Sequence, residues 1–270
     1  MEQKSPIAII GCGWLGLPLA KQFVAEGHTI HGSTTSEEKL AVLALEGIRP
    51  FLLDVTSEGI AGQLKACLEG CKILVLNIPP RLRKNPEQDY VGEMQQLLPH
   101  IENSSVEQLV FIGSTSVYAD DENMPVITEA STFSKSETAQ KLVTAEGLFQ
   151  QNNNFNATIL RLSGLIGPNR HPATYLSGRN QIQNPEAPVN LIHRDDAIAI
   201  IKSIISQKLW NEAFNASFPS HPAKKEFYTK ACEQQNLPLP QFDEQCASKG
   251  KTIASNKLLQ RLKFQFEHQI

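Results

Sequence analysis

The chain has 270 residues, of which 41% are hydrophobic and 20% charged, and its formal net charge is −3 with a pI near 6.2. This is the composition of a globular protein, and the absence of basic runs argues against nucleic acid as a partner. No apolar stretch approaches the ~20 residues of a membrane span, and the apolar run from Ile7 leaves no room for a signal peptide. We therefore expect a cytoplasmic protein that does not bind membranes.

Strand and helix signals alternate through the first two thirds of the chain. The apolar run at 7–10 predicts a buried strand, and the pattern after it predicts a helix that ends at Gly27. Further strands are expected at 29–33, 49–54, 72–78, 108–113 and 157–162. Helices are expected at 35–46, opened by the capping box Thr35-Ser36-Glu37-Glu38, and at 60–69, 91–101 and 134–150. This order predicts an α/β fold with a doubly wound parallel sheet of the Rossmann type.

The pattern changes after Gly164, where prolines become frequent. A helix at 195–207, a short strand at 213–216 and helices at 224–235 and 256–262 are expected there. We predict a nucleotide-binding domain of residues 1–163 and 190–216. Residues 164–189 and 217–270 would form a small C-terminal lobe that covers the substrate at the carboxyl ends of the strands.

Residues 11–16 carry the pattern Gly-x-Gly-x-x-Gly between the first strand and the first helix. In this position Gly11 permits a tight turn, Gly13 lets the backbone approach a pyrophosphate, and Gly16 lets the helix pack close to the strand. The helix N-terminus offers N–H groups and positive dipole charge to phosphate. A glycine-rich turn without a ligand is the alternative, but the order of strand, turn and helix favours a dinucleotide site.

Several later segments occur in an order typical of one enzyme family. They are Asp54-Val55, Ser114-Thr115-Ser116-Val117-Tyr118, Arg161-Leu162-Ser163-Gly164-Leu165-Ile166-Gly167-Pro168, Asn190-Leu191-Ile192-His193-Arg194-Asp195-Asp196 and Phe214-Asn215-Ala216. With the glycine pattern, the chain resembles the extended short-chain dehydrogenase/reductases of the NAD-dependent epimerase/dehydratase superfamily. The resemblance covers nearly the whole chain, and the short length and Pro-rich closing segment resemble the atypical members.

The resemblance implies how the pyrophosphate of the cofactor would be held. Gly11, Gly13 and Gly16 would contact it, while Trp14 and Leu15 would donate backbone N–H groups. These roles come from the family and from the matching positions of the glycine pattern.

The resemblance also implies roles beyond the glycine pattern. Asp54 would accept a hydrogen bond from the adenine amino group, and Val55 would contact the ring. An N-cap of the following helix is the alternative for Asp54, and one side chain can do both. Asn77-Ile78-Pro79 would line the nicotinamide side, and Ser114 lies where the family keeps its catalytic Ser or Thr.

The end of the second strand carries hydroxyl groups where NAD-specific sites carry an acid. An Asp or Glu about 20 residues beyond the glycines binds the ribose 2′-OH of NAD. Here Thr34, Thr35 and Ser36, with Lys39 and the helix N-terminus, can receive a 2′-phosphate. The family's NADP-binding members often place an Arg here, which this chain lacks, and Thr35 and Ser36 alternatively cap the helix only. We expect NADP in preference to NAD.

The superfamily's acid–base pair, Tyr-x-x-x-Lys on the helix after the fifth strand, is missing. Four-residue spacing puts phenol and ammonium on one helical face, where the charge lowers the phenol pKa. None of the four tyrosines has a Lys four residues later. If Glu146 is the Glu that often follows the Lys, then Leu142 takes the Lys position and Thr138 the Tyr position. A shift of one residue puts Lys141 and Glu137 there instead.

Three explanations of the missing pair stay open. Another group serves as the acid, with Tyr118 and His193 as the best candidates. The reaction needs only hydride transfer, with the proton coming from water or substrate. Alternatively, the protein binds the dinucleotide without catalysis. We take Ser114 as a catalytic candidate because of its position in the family pattern, and Tyr118 because it shares a loop with Ser114, with packing as the equal alternative for Tyr118.

The leading function is an NAD(P)-dependent oxidoreductase or epimerase/dehydratase-like enzyme acting on a small polar substrate, such as a nucleotide sugar. A non-catalytic NADP(H)-binding sensor is the alternative, and the intact glycine pattern argues against a structural protein. The resemblance also implies a homodimer, although the helical stripe Val91, Met94, Leu98 and Ile101 is expected to be core. We expect no metal site, because Cys67 and Cys71 have no His or further Cys nearby.

Overall fold

A computed structural model describes residues 5–82 and 85–270. The chain forms two compact units. The first holds Met1–Gly113, Glu137–Leu160 and Ile204–Ala213, and the second holds Ser114–Ser136, Arg161–Ser203 and Phe214–Ile270. These units divide the chain at other points than the expected lobes, since residues 114–136 and most of 190–216 fall in the second unit. The assignment of a substrate-covering lobe stays a prediction.

The strands alternate with helices along most of the chain. The strands are β1 (Ile7–Ile10), β2 (Ile30–Thr34), β3 (Arg49–Thr56), β4 (Gly59–Gly62), β5 (Ile73–Leu76), β6 (Gln108–Ser114), β7 (Val126–Ile127), β8 (Asn156–Leu162), β9 (Gly164–Ile166), β10 (Leu191–His193), β11 (Ala213–Ala216) and β12 (Thr252–Ile253). The helices are α1 (Gly16–Ala25), α2 (Glu38–Leu45), α3 (Leu64–Leu68), α4 (Tyr90–Glu102), α5 (Glu137–Gln150), α6 (Ala173–Leu176), α7 (Arg194–Ser206), α8 (Lys224–Gln234) and α9 (Asn256–Leu262). Among the described residues, no helix has the length and apolarity that a bilayer crossing needs.

Eight strands form one sheet in the order β11-β8-β6-β5-β1-β2-β3-β4. β1 pairs in parallel with β2 and with β5, and the pairs β2–β3 and β5–β6 are also parallel. Every residue of β1 and β2 is buried, as in parallel sheets with both faces covered. The predicted Rossmann-type α/β fold is confirmed.

One expected helix is partly a strand. The helix expected at 60–69 is replaced by β4, which pairs antiparallel with β3, and by the short α3. One glycine explains the difference. Gly62 has φ +107°, and a Cβ there would lie 2.2 Å from the carbonyl oxygen of Leu52. β4 can therefore lie this close to β3 only because residue 62 has no side chain. Residues 59–62 therefore pair with β3 as a hairpin instead of starting a helix.

The expected capping box before α2 is also wrong. The helix begins at Glu38, and its N-cap, Glu37, makes no side-chain capping bond. Instead, the hydroxyl of Thr34 accepts a hydrogen bond from the Ser36 N–H at 3.2 Å. A serine or threonine hydroxyl can bond the backbone two residues on, and this local turn takes the place of the cap.

The interior of the first unit contains most of the residues expected there. Cys67 and Cys71 are fully buried, as expected of core residues, but the premise that no histidine lies near them is wrong, because the Sγ of Cys71 contacts the Nδ1 of His31 at 3.3 Å. On α4, Met94 and Ile101 are fully buried, while the neighbouring Leu97 rather than Leu98 completes the buried face. The stripe therefore covers the sheet, with its register shifted by one residue at that position.

Candidate functional site

The turn between β1 and α1, residues 11–16, is called the glycine turn below. Gly11 has φ +100°, and a Cβ on it would lie 2.2 Å from the carbonyl oxygen of Asn77. A Cβ on Gly16 would lie 2.2 Å from the carbonyl oxygen of Gly11. Both distances are far inside van der Waals contact. Glycine is therefore required at these two positions by the fold itself.

Gly13 differs from the other two glycines. Apart from its chain neighbours, no described atom lies within 4 Å of a Cβ built on this exposed residue, and its φ is not positive. The Gly13 carbonyl accepts the Leu17 N–H at 3.0 Å, so the residue lies at the start of α1. The space above Gly13 is thus open at a helix N-terminus, where phosphate groups bind favourably.

Two side chains from neighbouring strands hold the glycine turn in place. Ser33, at the end of β2, accepts the Gly11 N–H with its hydroxyl at 3.1 Å, and its carbonyl accepts the Cys12 N–H at 2.8 Å. The side-chain amide of Asn77, just after β5, donates to the Gly11 carbonyl at 2.9 Å. The side-chain amide of Asn77 therefore supports the glycine turn. Contact between Asn77 and a cofactor stays a prediction. Sequence reasoning missed Ser33, although its position at the end of the strand beside β1 is a usable signal.

The loop after β5 continues through Ile78 and Pro79. The hydroxyl of Tyr90, on α4, donates to the Ile78 carbonyl at 3.3 Å. Tyr90 is buried, so this bond connects the loop to the interior of the first unit. The loop is consequently supported from α4 as well as from the glycine turn.

The hydroxyl groups at the end of β2 differ in exposure. Thr34 is buried and bonds Ser36, whereas Thr35 is exposed and Ser36 half-buried. Lys39 is exposed on the first turn of α2. Thr35 is thus the hydroxyl that is most available to a ligand at this strand end.

Asp54 and Val55 lie within β3 rather than after it. They pair with Ala61 and Ile60 of β4 across the hairpin. The carboxylate of Asp54 is exposed, and the next helix, α3, begins only at Leu64. The alternative role of Asp54 as a helix N-cap is therefore wrong, while contact with adenine stays a prediction.

Helix α5 shows what stands in place of the tyrosine and lysine. Leu142 is buried, and Thr138 is exposed. In the other register, Lys141 forms an ion pair with Glu137 at 2.8 Å and donates to the Pro86 carbonyl at 3.0 Å. The hydrogen bond from Lys141 lowers the pKa of Glu137, so this carboxyl is a poor proton donor at neutral pH. Neither register supplies an acid equivalent to the phenol.

In the second unit, residues 114–118 form a tight turn, called the Ser114 turn below. The Ser114 hydroxyl accepts the Ser116 N–H at 3.1 Å and donates to the Ser116 hydroxyl at 3.1 Å. Ser114 is half-buried and Ser116 is exposed. The two hydroxyls form a short chain whose outer member faces solvent.

Tyr118, expected as a catalytic candidate, is only 2% exposed. Its hydroxyl donates to the side-chain oxygen of Asn215 at 3.0 Å and accepts from the guanidinium of Arg161 at 2.8 Å. Burial raises the pKa of the phenol, and the charge of Arg161 offsets this only in part. A phenol with both hydrogen-bonding functions occupied inside the protein is poorly placed to give a proton to a ligand. The geometry favours the packing alternative.

Comparison with known proteins supports the same family. The model of the NAD dependent epimerase/dehydratase family matches residues 7–189. Protein YeeZ of Escherichia coli (strain K12) is 30% identical over 268 residues, which cover 97% of this chain and 96% of YeeZ. The likeness therefore extends over both compact units.

Solved structures share the fold at low sequence identity. A double mutant of DesIV, a dTDP-glucose 4,6-dehydratase from Streptomyces venezuelae with NAD bound, has a TM-score of 0.80 at 14% identity, covering 98% of this chain and 92% of that one. UDP-N-acetylglucosamine 4-epimerase from Bacillus cereus has a TM-score of 0.75 at 17% identity, with coverage of 98% and 92%. Since the family model spans both the glycine turn and the Ser114 turn, and YeeZ aligns along nearly the full length, the chain belongs to the NAD-dependent epimerase/dehydratase family.

Proposed function

We propose that the protein is an NAD(P)-dependent oxidoreductase or epimerase/dehydratase that acts on a small polar substrate of the nucleotide-sugar class. The observation that carries the proposal is the open space above Gly13. Neither a positive φ nor a close neighbour requires glycine at this position. A glycine that the fold does not need costs conformational entropy, so a ligand that approaches the backbone is the better explanation.

The residues present fit a dinucleotide. The glycine turn leaves space for a pyrophosphate at the start of α1, and Asn77 and Ser33 keep that turn in one conformation. When bound, the nicotinamide would supply or accept a hydride. This chain's own part is to bind and orient the cofactor and to hold the reacting oxygen of the substrate.

We assign the second task to the Ser114 turn. To donate a hydrogen bond to the reacting oxygen, the Ser114 hydroxyl would turn away from Ser116, whose own hydroxyl could then donate to Ser114 in return. Because Tyr118 is buried and α5 lacks the tyrosine and lysine, the proton is proposed to come from water or from the substrate itself. Nucleotide sugars are proposed because relatives of the same fold are named for their action on dTDP-glucose and UDP-N-acetylglucosamine.

NADP is the proposed preferred form of the cofactor, and we expect NADPH to bind more tightly than NADH in the same buffer. The end of β2 offers the exposed Thr35 hydroxyl and no carboxylate. The variant Thr35→Asp is expected to reverse the order, because an acid repels the 2′-phosphate and accepts from the 2′-OH. Dissociation constants from fluorescence titration test this. Tighter NADH binding by the wild type would refute the preference.

We expect Ser114→Ala to lower turnover by ~100-fold, as loss of a donor aimed at developing charge typically does. The assay is a panel of nucleotide sugars and small carbonyl compounds with NADPH or NADH. Cofactor affinity should stay within a factor of about two, since Ser114 acts on substrate. Ser116→Ala is the matched control at the same turn, with a smaller expected loss.

Two outcomes would change the proposal. Full activity of the Ser114→Ala variant would remove this hydroxyl from the mechanism. Cofactor binding without turnover across the whole panel would favour the second candidate, a non-catalytic NADP(H) sensor, which the absent tyrosine and lysine support.

Analytical ultracentrifugation tests the homodimer that we also propose from the family resemblance.

A further inference from the structure

Residues 263–270, which follow α9, form a segment without regular secondary structure, called the strap below. It begins at Lys263, whose left-handed conformation ends the helix. Phe266 packs edge-on against Phe218. Ile270 packs against the buried cluster of Ile166, Val189 and Leu191. The strap therefore covers apolar side chains of the β9–β10 layer within the second unit.

A buried carboxylate fastens the strap to the first turn of α7. Asp196 is 1% exposed. Its carboxylate accepts the backbone N–H groups of Glu267 at 3.0 Å and His268 at 3.2 Å, and it contacts the His268 ring nitrogen at 3.1 Å. A buried charge needs several such partners to be tolerated, so docking of the strap and burial of this carboxylate depend on each other.

A second contact joins the same two segments. The imidazole rings of His193 and His268 stack with their centroids 4.1 Å apart and their planes at 15°. The His193 Nδ1 accepts the backbone N–H of Asp195 at 3.2 Å. Two neutral rings can stack in this way, but two charged imidazoliums at this separation repel each other.

The geometry of the rings argues against a shared metal ion. His193, Asp195 and His268 are residue types that bind metals, and their ligand atoms lie within 4.8 Å of one another. A metal must lie in the plane of each imidazole that binds it, at about 2.0–2.1 Å from the nitrogen for zinc. Two nearly parallel, stacked planes do not meet at a common point near both nitrogens. The cluster is therefore suited to protons rather than to a metal.

We propose that the strap is released by acid, with the stacked rings of His193 and His268 as the sensor and the Asp196 carboxylate as the fastening point. A proton on His193 places a charge in a partly buried position against the stacked ring of His268, which weakens the stack and expels the strap. Release uncovers the part of the cluster of Ile166, Val189 and Leu191 that Ile270 packs against. This inference is independent of the cofactor and of the reaction.

The sign of the pH dependence follows from His193. Burial and the neighbouring His268 lower the pKa of His193 from its ordinary value of 6.5, and Arg194 adds to this, while Asp195 and Asp196 act in the opposite direction. The docked state then binds fewer protons than the released state. Docking is fully stable above pH 6.5 and weakens as the pH falls through the lowered pKa of His193.

Hydrogen exchange followed by NMR tests the proposal. The readout is the protection factor, corrected for the intrinsic rate, of the Glu267 and His268 amides between pH 7.5 and pH 5.0. We expect a drop of at least tenfold in the wild type, while amides of β1 stay protected. His193→Phe keeps an aromatic stack without a titrating ring, so its protection is expected to change by less than threefold.

Two further variants complete the experiment. His268→Phe replaces the other ring of the stack, and its amide protection should likewise change by less than threefold between pH 7.5 and pH 5.0. His100→Phe, on exposed α4 surface of the first unit, removes an unrelated imidazole and should behave like the wild type. Constant protection in the wild type, or an equal drop in the two stack variants, would overturn the proposal. So would saturable binding of Zn²⁺ that shifts the signals of both rings.

Discussion

Replacement of Gly13 by valine is expected to weaken NAD(P)H binding by roughly 100-fold or more, equivalent to about 2.7 kcal/mol, while the fold stays intact. The Cβ and its methyl groups would occupy the space that we assign to the pyrophosphate. The fold should tolerate them, because that space contains no described atom within 4 Å of the Cβ. Isothermal titration calorimetry measures the affinity, and circular dichroism checks the fold.

Gly147→Val is the matched control for this prediction. Gly147 lies in α5 of the same unit, and a Cβ there would meet only the end of the Gln151 side chain, at 3.8 Å. Valine should cost some helix stability at this position but leave the affinity for NAD(P)H unchanged. Undiminished affinity in a folded Gly13→Val protein would show that the open space is not the cofactor site.

The second large effect concerns stability. Tyr118→Phe is expected to lower the free energy of unfolding by about 1–3 kcal/mol, since it removes the partner of two buried polar groups, Arg161 and Asn215. Chemical denaturation monitored by tryptophan fluorescence measures the change. Turnover by the folded variant should fall far less than in Ser114→Ala, because the phenol is not placed to transfer a proton.

Tyr175→Phe provides the control for the loss of a tyrosine hydroxyl. Tyr175 is 40% exposed, and its hydroxyl accepts only from the Arg170 side chain among the bonds described. Loss of this surface bond should change the unfolding free energy by about 0.5 kcal/mol or less. A Tyr118→Phe protein with full stability and no turnover would instead identify Tyr118 as the proton donor.

Local sequence signals predicted most of the fold. The run at 7–10 identified β1 with its observed limits, and the run at 157–162 identified β8 to within one residue, because neither stretch alternates regularly between apolar and polar residues. The hairpin of β3 and β4 was missed, since its cause is a close approach between Gly62 and Leu52 that periodicity does not reveal. The capping box predicted before α2 was also wrong, because the Thr34 hydroxyl forms a local turn with the Ser36 N–H instead.

The sequence predicted the part of the candidate site that depends on backbone conformation, which is the glycine turn. The glycine pattern identified the turn, and the structure separates Gly13 from Gly11 and Gly16 by what a side chain would meet. The supports of the turn were missed, because Ser33 and Asn77 lie 22 and 66 residues away from Gly11 in sequence, and only the position of Ser33 at the end of the strand beside β1 hinted at its role. For the same reason, sequence alone left the role of Tyr118 undecided.

The hydrogen-bond partners of Tyr118 also determine how early the Ser114 turn can fold while the chain is being synthesised. Arg161 is 43 residues later in the sequence, Asn215 is 97 residues later, and Lys251, which donates to the Tyr118 carbonyl at 2.8 Å, is 133 residues later. Contacts of such long range form slowly and only after the distant segments have left the ribosome. The Ser114 turn is therefore completed late, whereas the two supports described for the glycine turn, Ser33 and Asn77, lie within the first 77 residues. A nascent chain would acquire the turn that we assign to the cofactor well before the turn that we assign to substrate.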